Sequence, residues 1–355
     1  MIDIFEMGGL DKFQKVSEPG LATHVMIVGI EDEDYERQFN GMSPLDCAKL
    51  NEVINAICLG RPAVLGVAID TEHVQFSKIA IPPNCKIIWA RDAHRASQDD
   101  IYFKQRKILG GNEWESGIAL LPLDTGKVIQ RFQRRFLTDV GPRPSFHWEV
   151  VESFCQIPAK ASVCGDAIRR TSDKELIFNV FRNHYNLKPI SISNLLKQAG
   201  GARWKDQAII RDKVILLGGY YRAARDTYHT PLGIKSGVEL IAQAIETEVG
   251  RGSYESGNEL YFHIFVVEVF LGIACALLHF YCSSSIALTG NLVGIPLLSI
   301  IISYLVFSAV GLWVNFIPIT AGALIHQLYE NTIERQEKRN HSEDPSRNVP
   351  SHSDG

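Results

Sequence analysis

The sequence predicts an α/β fold: a mixed, largely parallel sheet covered by helices, followed by a three-helix transmembrane region. Three observations lead there. Short, β-branched apolar runs alternate with helical patterns between residues 24 and 250. Residues 252–334 then contain no Lys or Arg, and residues 261–328 carry one formal charge, Glu268. A soluble domain is about one quarter charged, so that second stretch is not soluble surface. The net charge of −4 over 355 residues gives no sign of a nucleic-acid partner.

Residues 24–32 (HVMIVGIED) read as a buried strand ending in acidic residues. Residues 43–59 place apolar side chains at helical spacing, with Ser43 as N-cap and Pro44 at the first helical position. Gly60, Arg61 and Pro62 end that helix. Residues 63–70 (AVLGVAID) are a second strand and residues 86–93 a third. Strand, helix, strand in this rhythm indicates a parallel sheet with right-handed crossovers. Residues 117–122 and 123–136 read as a strand pair turned by Asp124, Thr125 and Gly126. Residues 175–180 and 213–219 complete the strands, and residues 237–249 form the helix after the last of them.

A spanning helix needs about 20 largely apolar residues. Residues 262–281 meet that length, with Glu268 and His279 inside. Residues 286–328 are uncharged and long enough for two more, at 286–308 and 310–328. Glu268 is expected in a helix–helix hydrogen bond, or near enough the interface to snorkel, rather than in an ion or proton relay. Arg335, Lys338 and Arg339 follow the third segment and neither short loop has Lys or Arg, so the tail is expected in the cytoplasm and the large domain outside. Residues 329–355 are polar and rich in Ser, the composition of a disordered tail. Residues 1–23 hold no apolar leader, so an upstream span is expected to be missing from this chain.

No motif points to catalysis. There is no G-x-S-x-G elbow, no Walker A loop, no H-E-x-x-H and no G-x-G-x-x-G after a strand. The expectation is therefore no enzyme activity and no cofactor. Five cysteines lie in the domain: Cys47, Cys58, Cys85, Cys155 and Cys164. Cys58 falls on the apolar face of a predicted helix and reads as core. Cys155 and Cys164 pair outside the cell or stay free; their spacing does not decide between the two.

Two strands end in Asp32 and Asp70. Ligands of open α/β sheets bind outside the carboxyl ends of the strands. Asp70 is equally a ligand contact or a turn cap, whereas Asp32 reads as a cap. The segment after the last strand is polar, YYRAARDTYHTPLG. Arg222, Arg225 and His229 there make a cationic lip for an anionic ligand, Asp226 pairs with one of the arginines, and Thr230 caps the turn. The alternative is that the whole loop only holds the last strand against the last helix. A minor third option gathers Asp32, Asp70 and Asp226 around a cation, as a hydrolase or transferase.

The run KVILLGG, then Asp226, then Thr230-Pro231-Leu232-Gly233, then Gly237-Val238-Glu239 opening a helix, resembles the CHASE2 family. Ser236 stands where proline is common in that family. HVMIVGIEDED resembles the family's opening strand and acidic turn, GRPAVLGVAID its second strand, DTGKVIQR its hairpin, and GLWVNFIPITAGALI its last membrane span. The resemblance covers residues 24–249 and the three apolar segments after them.

The resemblance implies an extracytoplasmic sensory domain on a membrane bundle, commonly joined to a cyclase or kinase output. No such output follows residue 328 here, so a signal is expected to pass through the bundle or the tail to a partner protein. The expected partners are an unidentified ligand at Asp70, Arg222, Arg225, Asp226, His229 and Thr230, the lipid bilayer, a signalling protein and a second copy of the chain. The competing expectation is a membrane-bound interaction module without ligand sensing.

Overall fold

The computed structural model describes residues 24–95, 101–103, 115–121, 129, 131–138, 141–164, 175–177, 185, 187–199, 209–230 and 233–251, with scattered positions from 269 to 336. The chain divides into two compact units, Asp3–Glu255 and Ser256–Gly355.

In the first unit, β1 (Val25–Ile30), β2 (Val64–Ala68) and β3 (Ile87–Arg91) form where the apolar runs predicted strands. They join β6 (Ser116–Ile118), β11 (Ile190–Ser191) and β12 (Val214–Gly219) in a six-stranded sheet of order β11-β1-β12-β2-β3-β6. Every pairing in that sheet is parallel. The expected mixed sheet is thus corrected, and antiparallel pairing is confined to smaller sheets. One of these holds β4 (Ala93–Arg95), β5 (Ile101–Phe103), β8 (Arg135–Thr138) and β9 (Gly141–Pro144). Another pairs β7 (Arg131–Gln133) with β10 (Glu175–Ile177). Of the residues expected to pair, 117–122 with 123–136, the described ones have other partners: β6 lies parallel to β3, and β7 pairs with β10. The expected turn at Asp124 lies outside the described residues.

Strands buried on both faces need apolar side chains pointing both ways. Val25 and Ile27 of β1, with Val214 and Leu216 of β12, face one core cluster. Val28 and Ile30, with Ile215 and Leu217, face the other. The second face is covered by α1 (Asp32–Gln38), α2 (Cys47–Leu59) and α4 (Ile192–Ala199), through Tyr35, Leu50, Ile54, Ile57 and Leu195. The first is covered by α3 (Phe146–Cys155) and α5 (Gly237–Arg251), through Val150, Phe154, Ile241 and Ile245.

Local chemistry sets several boundaries differently from expectation. Asp32 begins a helix instead of capping a turn: Glu31 is the N-cap, and its side chain and that of Asp34 form a capping box. Helix α2 starts three residues later than the sequence suggests. Asp46, not Ser43, caps it by accepting a hydrogen bond from the Lys49 N–H at 2.8 Å, and the Ser43–Pro44 peptide is cis. Asp is as good a cap as Ser and lies closer to the first core residue, Leu50. Gly117 is a glycine for a packing reason. A Cβ there would stand 2.6 Å from the Cα of Phe146 and 2.7 Å from the Ser145 carbonyl oxygen, so α3 starts directly against β6.

Two disulfides cross-link the unit. Cys155 pairs with Cys164, one of the two alternatives the sequence left open. Cys58 pairs with Cys85, which corrects its reading as plain core: the partner lies 27 residues away, at the entry to β3.

Helix α3 also carries Glu149, half-buried beside Glu152. Burial, then Glu152, push its carboxyl up to about 7; Lys86 and Arg135 oppose this and Glu115 adds to it. A carboxyl whose folded pKa is raised is stabilising below its unfolded value, and that stability is lost as pH rises through about 7. Glu149→Gln should therefore raise Tm at pH 8, by the equivalent of about 1–2 kcal/mol once solvent screening of a part-exposed group is allowed for. At pH 4.5 the gain should vanish. Thermal unfolding of both proteins at the two pH values checks this.

Among the described residues no helix is long and apolar enough to cross a membrane. The expected spans at 262–281, 286–308 and 310–328 fall almost wholly outside the described residues, as do Glu268 and the end of the tail.

Candidate functional site

The carboxyl ends of four parallel strands converge on one cleft of roughly 470 Å³. Strand β2 delivers Ala68, Ile69 and Asp70 to it, β3 delivers Arg91 and Asp92, β6 is followed by Ala119 and Leu121, and β12 ends at Gly219. A chain that runs only one way through a sheet leaves all its strand-to-helix turns on one edge, so polar turn residues from distant positions meet there.

One wall is the segment after β12. A short 3₁₀ turn, Arg222–Ala224, ends at Arg225 in the left-handed region, φ 52°. The hairpin of β13 (Thr227–Thr230) and β14 (Gly233–Ser236) then folds back and leads into α5. What the sequence suggested as a polar loop is therefore an antiparallel ribbon. Its closure brings Asp226 beside Gly237, whose N–H donates to the Asp226 carbonyl at 3.0 Å. Asp226, Tyr228 and Gly237 all line the cleft. The Tyr228 hydroxyl and the Gly237 N–H donate to the Asp226 carboxylate, but burial outweighs both and holds its pKa above the usual carboxylate range. Burial likewise raises Tyr221 and Tyr228, so both phenols stay neutral. Tyr221 stacks on Tyr35, ring centroids 4.2 Å apart and planes nearly parallel at 2°.

The sequence-predicted residues divide. Asp70 and Asp226 line the cleft together. Asp70 also accepts a hydrogen bond from the Glu72 N–H at 3.0 Å, the turn cap that was one of its two expected roles. Arg222, Arg225, His229 and Thr230 do not line the cleft. Arg222 is exposed and turns to Asp32, its N–H 2.8 Å from Oδ1 and its Nε 3.3 Å from Oδ2. Thr230 is buried and donates to the Gly233 carbonyl at 2.7 Å, closing the hairpin. His229 is exposed on β13, and its carbonyl accepts from the Ile129 N–H. The cationic lip is not assembled at the cleft. Nor is the three-aspartate cation site: Asp32 is paired with Arg222, and among the described residues no group of three or more His, Cys, Asp or Glu is placed to hold a metal.

Sequence reasoning missed Arg91, Asp92, Tyr221 and Tyr228. The first two were within reach, because the strand-end argument applied to Asp32 and Asp70 applies equally to the end of KIIWARD.

The fold is thus an open parallel sheet with a polar cleft outside its strand ends, the position at which open α/β sheets bind ligands, walled here by the ribbon that leads into α5. The family model for the CHASE2 domain matches residues 2–278, and the chain belongs to that family of extracellular sensory domains. Comparison with curated proteins and with solved structures gives no match.

Proposed function

We propose that the chain is a membrane-anchored sensor. Its extracytoplasmic CHASE2 domain takes a small ligand in the strand-end cleft and passes the change through the apolar segments at 262–281, 286–308 and 310–328 to a signalling partner. The observation that carries this is the position of α5. Its first residue, Gly237, is part of the cleft wall. Its last, Arg251, stands eleven residues before the first apolar segment begins at residue 262. A ligand that binds two positions of this helix with different affinity shifts the balance between them. The two disulfides support an oxidising, external setting. On this reading the domain senses and does no chemistry of its own.

Topology tests the reading. An epitope inserted at the exposed Met42 is expected to be reached by protease on intact cells, and one at Gly355 only after permeabilisation. Protection of the Met42 epitope would sink the external sensor and leave the interaction module in its place.

A further inference from the structure

Resting on the cleft as the ligand site, we infer that Asp226 reads the ligand, that the ligand offers it a cationic N–H group, and that this contact acts on α5. Asp226 stands where the hairpin closes on the helix. Gly237 permits that approach, because a Cβ there would overlap the Asp226 carboxylate oxygens. An ionised carboxylate accepts at about four sites and donates at none. Tyr228 and Gly237 supply two donors, which leaves capacity for a third beside the cleft. Burial disfavours the ionised form, so an arriving cation relieves a cost already present in the empty site.

The rest of the lining favours the same chemistry. Among the described residues of the lining, Asp70, Asp92 and Asp226 stand with one guanidinium, Arg91. That balance of side chains favours a cation over an anion. The rings of Tyr221 and Tyr228 lie in the same walls, and aromatic faces attract ammonium groups. The helix is built to transmit rather than absorb a change at its first turn. Near its far end Glu246 accepts from the Val25 N–H at 2.8 Å, and Glu248 holds Arg134 at 2.9 Å.

The test uses the purified full chain in detergent, with putrescine and spermidine as cationic probes and succinate as the anionic one, at matched ionic strength. Hydrogen exchange across residues 237–251 and Tm are read together. The amines are expected to slow exchange in the first turn of α5. Asp226→Asn is expected to weaken their apparent affinity about tenfold, while Glu52→Gln, an exposed carboxylate on α2, changes nothing. Tyr228→Phe frees an acceptor site on Asp226 and tightens amine binding by about threefold, which keeps the test open if the asparagine variant folds poorly. Protection by succinate alone, or amine binding equal in Asp226→Asn, overturns the ligand class and leaves the cleft as the site. No protection by either amine also overturns it. Amine protection lying away from α5 and the strand ends overturns both the class and the site.

Discussion

Truncating Arg134 to Ala is expected to destabilise the sensory domain by about 3–5 kcal/mol, the cost of leaving a carboxylate buried without its partner. Arg134 and Glu248 are 2% and 0% exposed, and the guanidinium grips the carboxylate with two hydrogen bonds, Nε to Oε1 at 3.0 Å and Nη2 to Oε2 at 2.9 Å. The same guanidinium lies over the Trp148 ring, 4.2 Å from its centroid. Burial, and then Arg134, push the nearby His147 down to about 3, so it is neutral at physiological pH. The pair ties the segment between β7 and β8 to α5, so its loss should loosen the helix that walls the cleft. Thermal unfolding should show a Tm loss of roughly 6–20 °C for a domain of this size. The double variant Arg134→Met with Glu248→Leu should recover part of that loss, because no charge is then left stranded. A single variant as stable as the parent would mean that the two charges meet water in solution.

The contrast with surface pairs is a matter of dielectric. Arg222 and Asp32 meet at 3.3 Å but are 94% and 54% exposed. An exposed pair contributes about 0–1 kcal/mol. Two ion pairs at similar distances thus hold the domain very differently, and the sequence distinguishes neither, since burial is a property of the assembled fold.

The same limit explains which parts of the fold were legible. The central strands β1, β2, β3 and β12 were readable because both of their faces are buried, which forces a continuous apolar run. Helix α5 was readable from its apolar spacing after Gly237. Helix α3 was not. Phe146, His147, Trp148, Val150, Val151, Ser153, Phe154 and Cys155 are all buried, so only Glu149 and Glu152 are left to mark its period. Strand β11 has two residues, too few for any pattern. The β13–β14 ribbon is largely exposed, and its strands TYHT and GIKS carry no apolar stripe. Half of the cleft lay in strand ends that the sequence located. The tyrosines of the other wall were not legible: Tyr228 sits on a hairpin that only pairing reveals, and Tyr221 is placed by stacking on Tyr35 of α1.

Replacing Cys58 and Cys85 together by Ser is expected to lower stability by about 3.5 kcal/mol, because the bridge closes a 27-residue loop in the unfolded chain. The Cys155–Cys164 bridge closes only 9 residues and should contribute about 2.5 kcal/mol. Both figures apply only where disulfides persist, and that makes the bridges a test of location as well as of stability. A cytosolic thiol pool keeps such cysteines reduced. In intact cells, followed by denaturing alkylation, an external domain should yield Cys47 as its single reactive thiol. A cytosolic one should yield all five of the domain's cysteines, and the paired Ser substitutions would then cost only what each buried side chain contributes to packing. The bridge at Cys58 and Cys85 is the more informative of the two. It fastens the end of α2 to the start of β3, and β3 carries Arg91 and Asp92 into the cleft. If the domain works outside the cell, breaking this bridge should therefore weaken ligand protection of α5 as well as stability. Breaking Cys155–Cys164, at the far end of α3, should reduce stability alone.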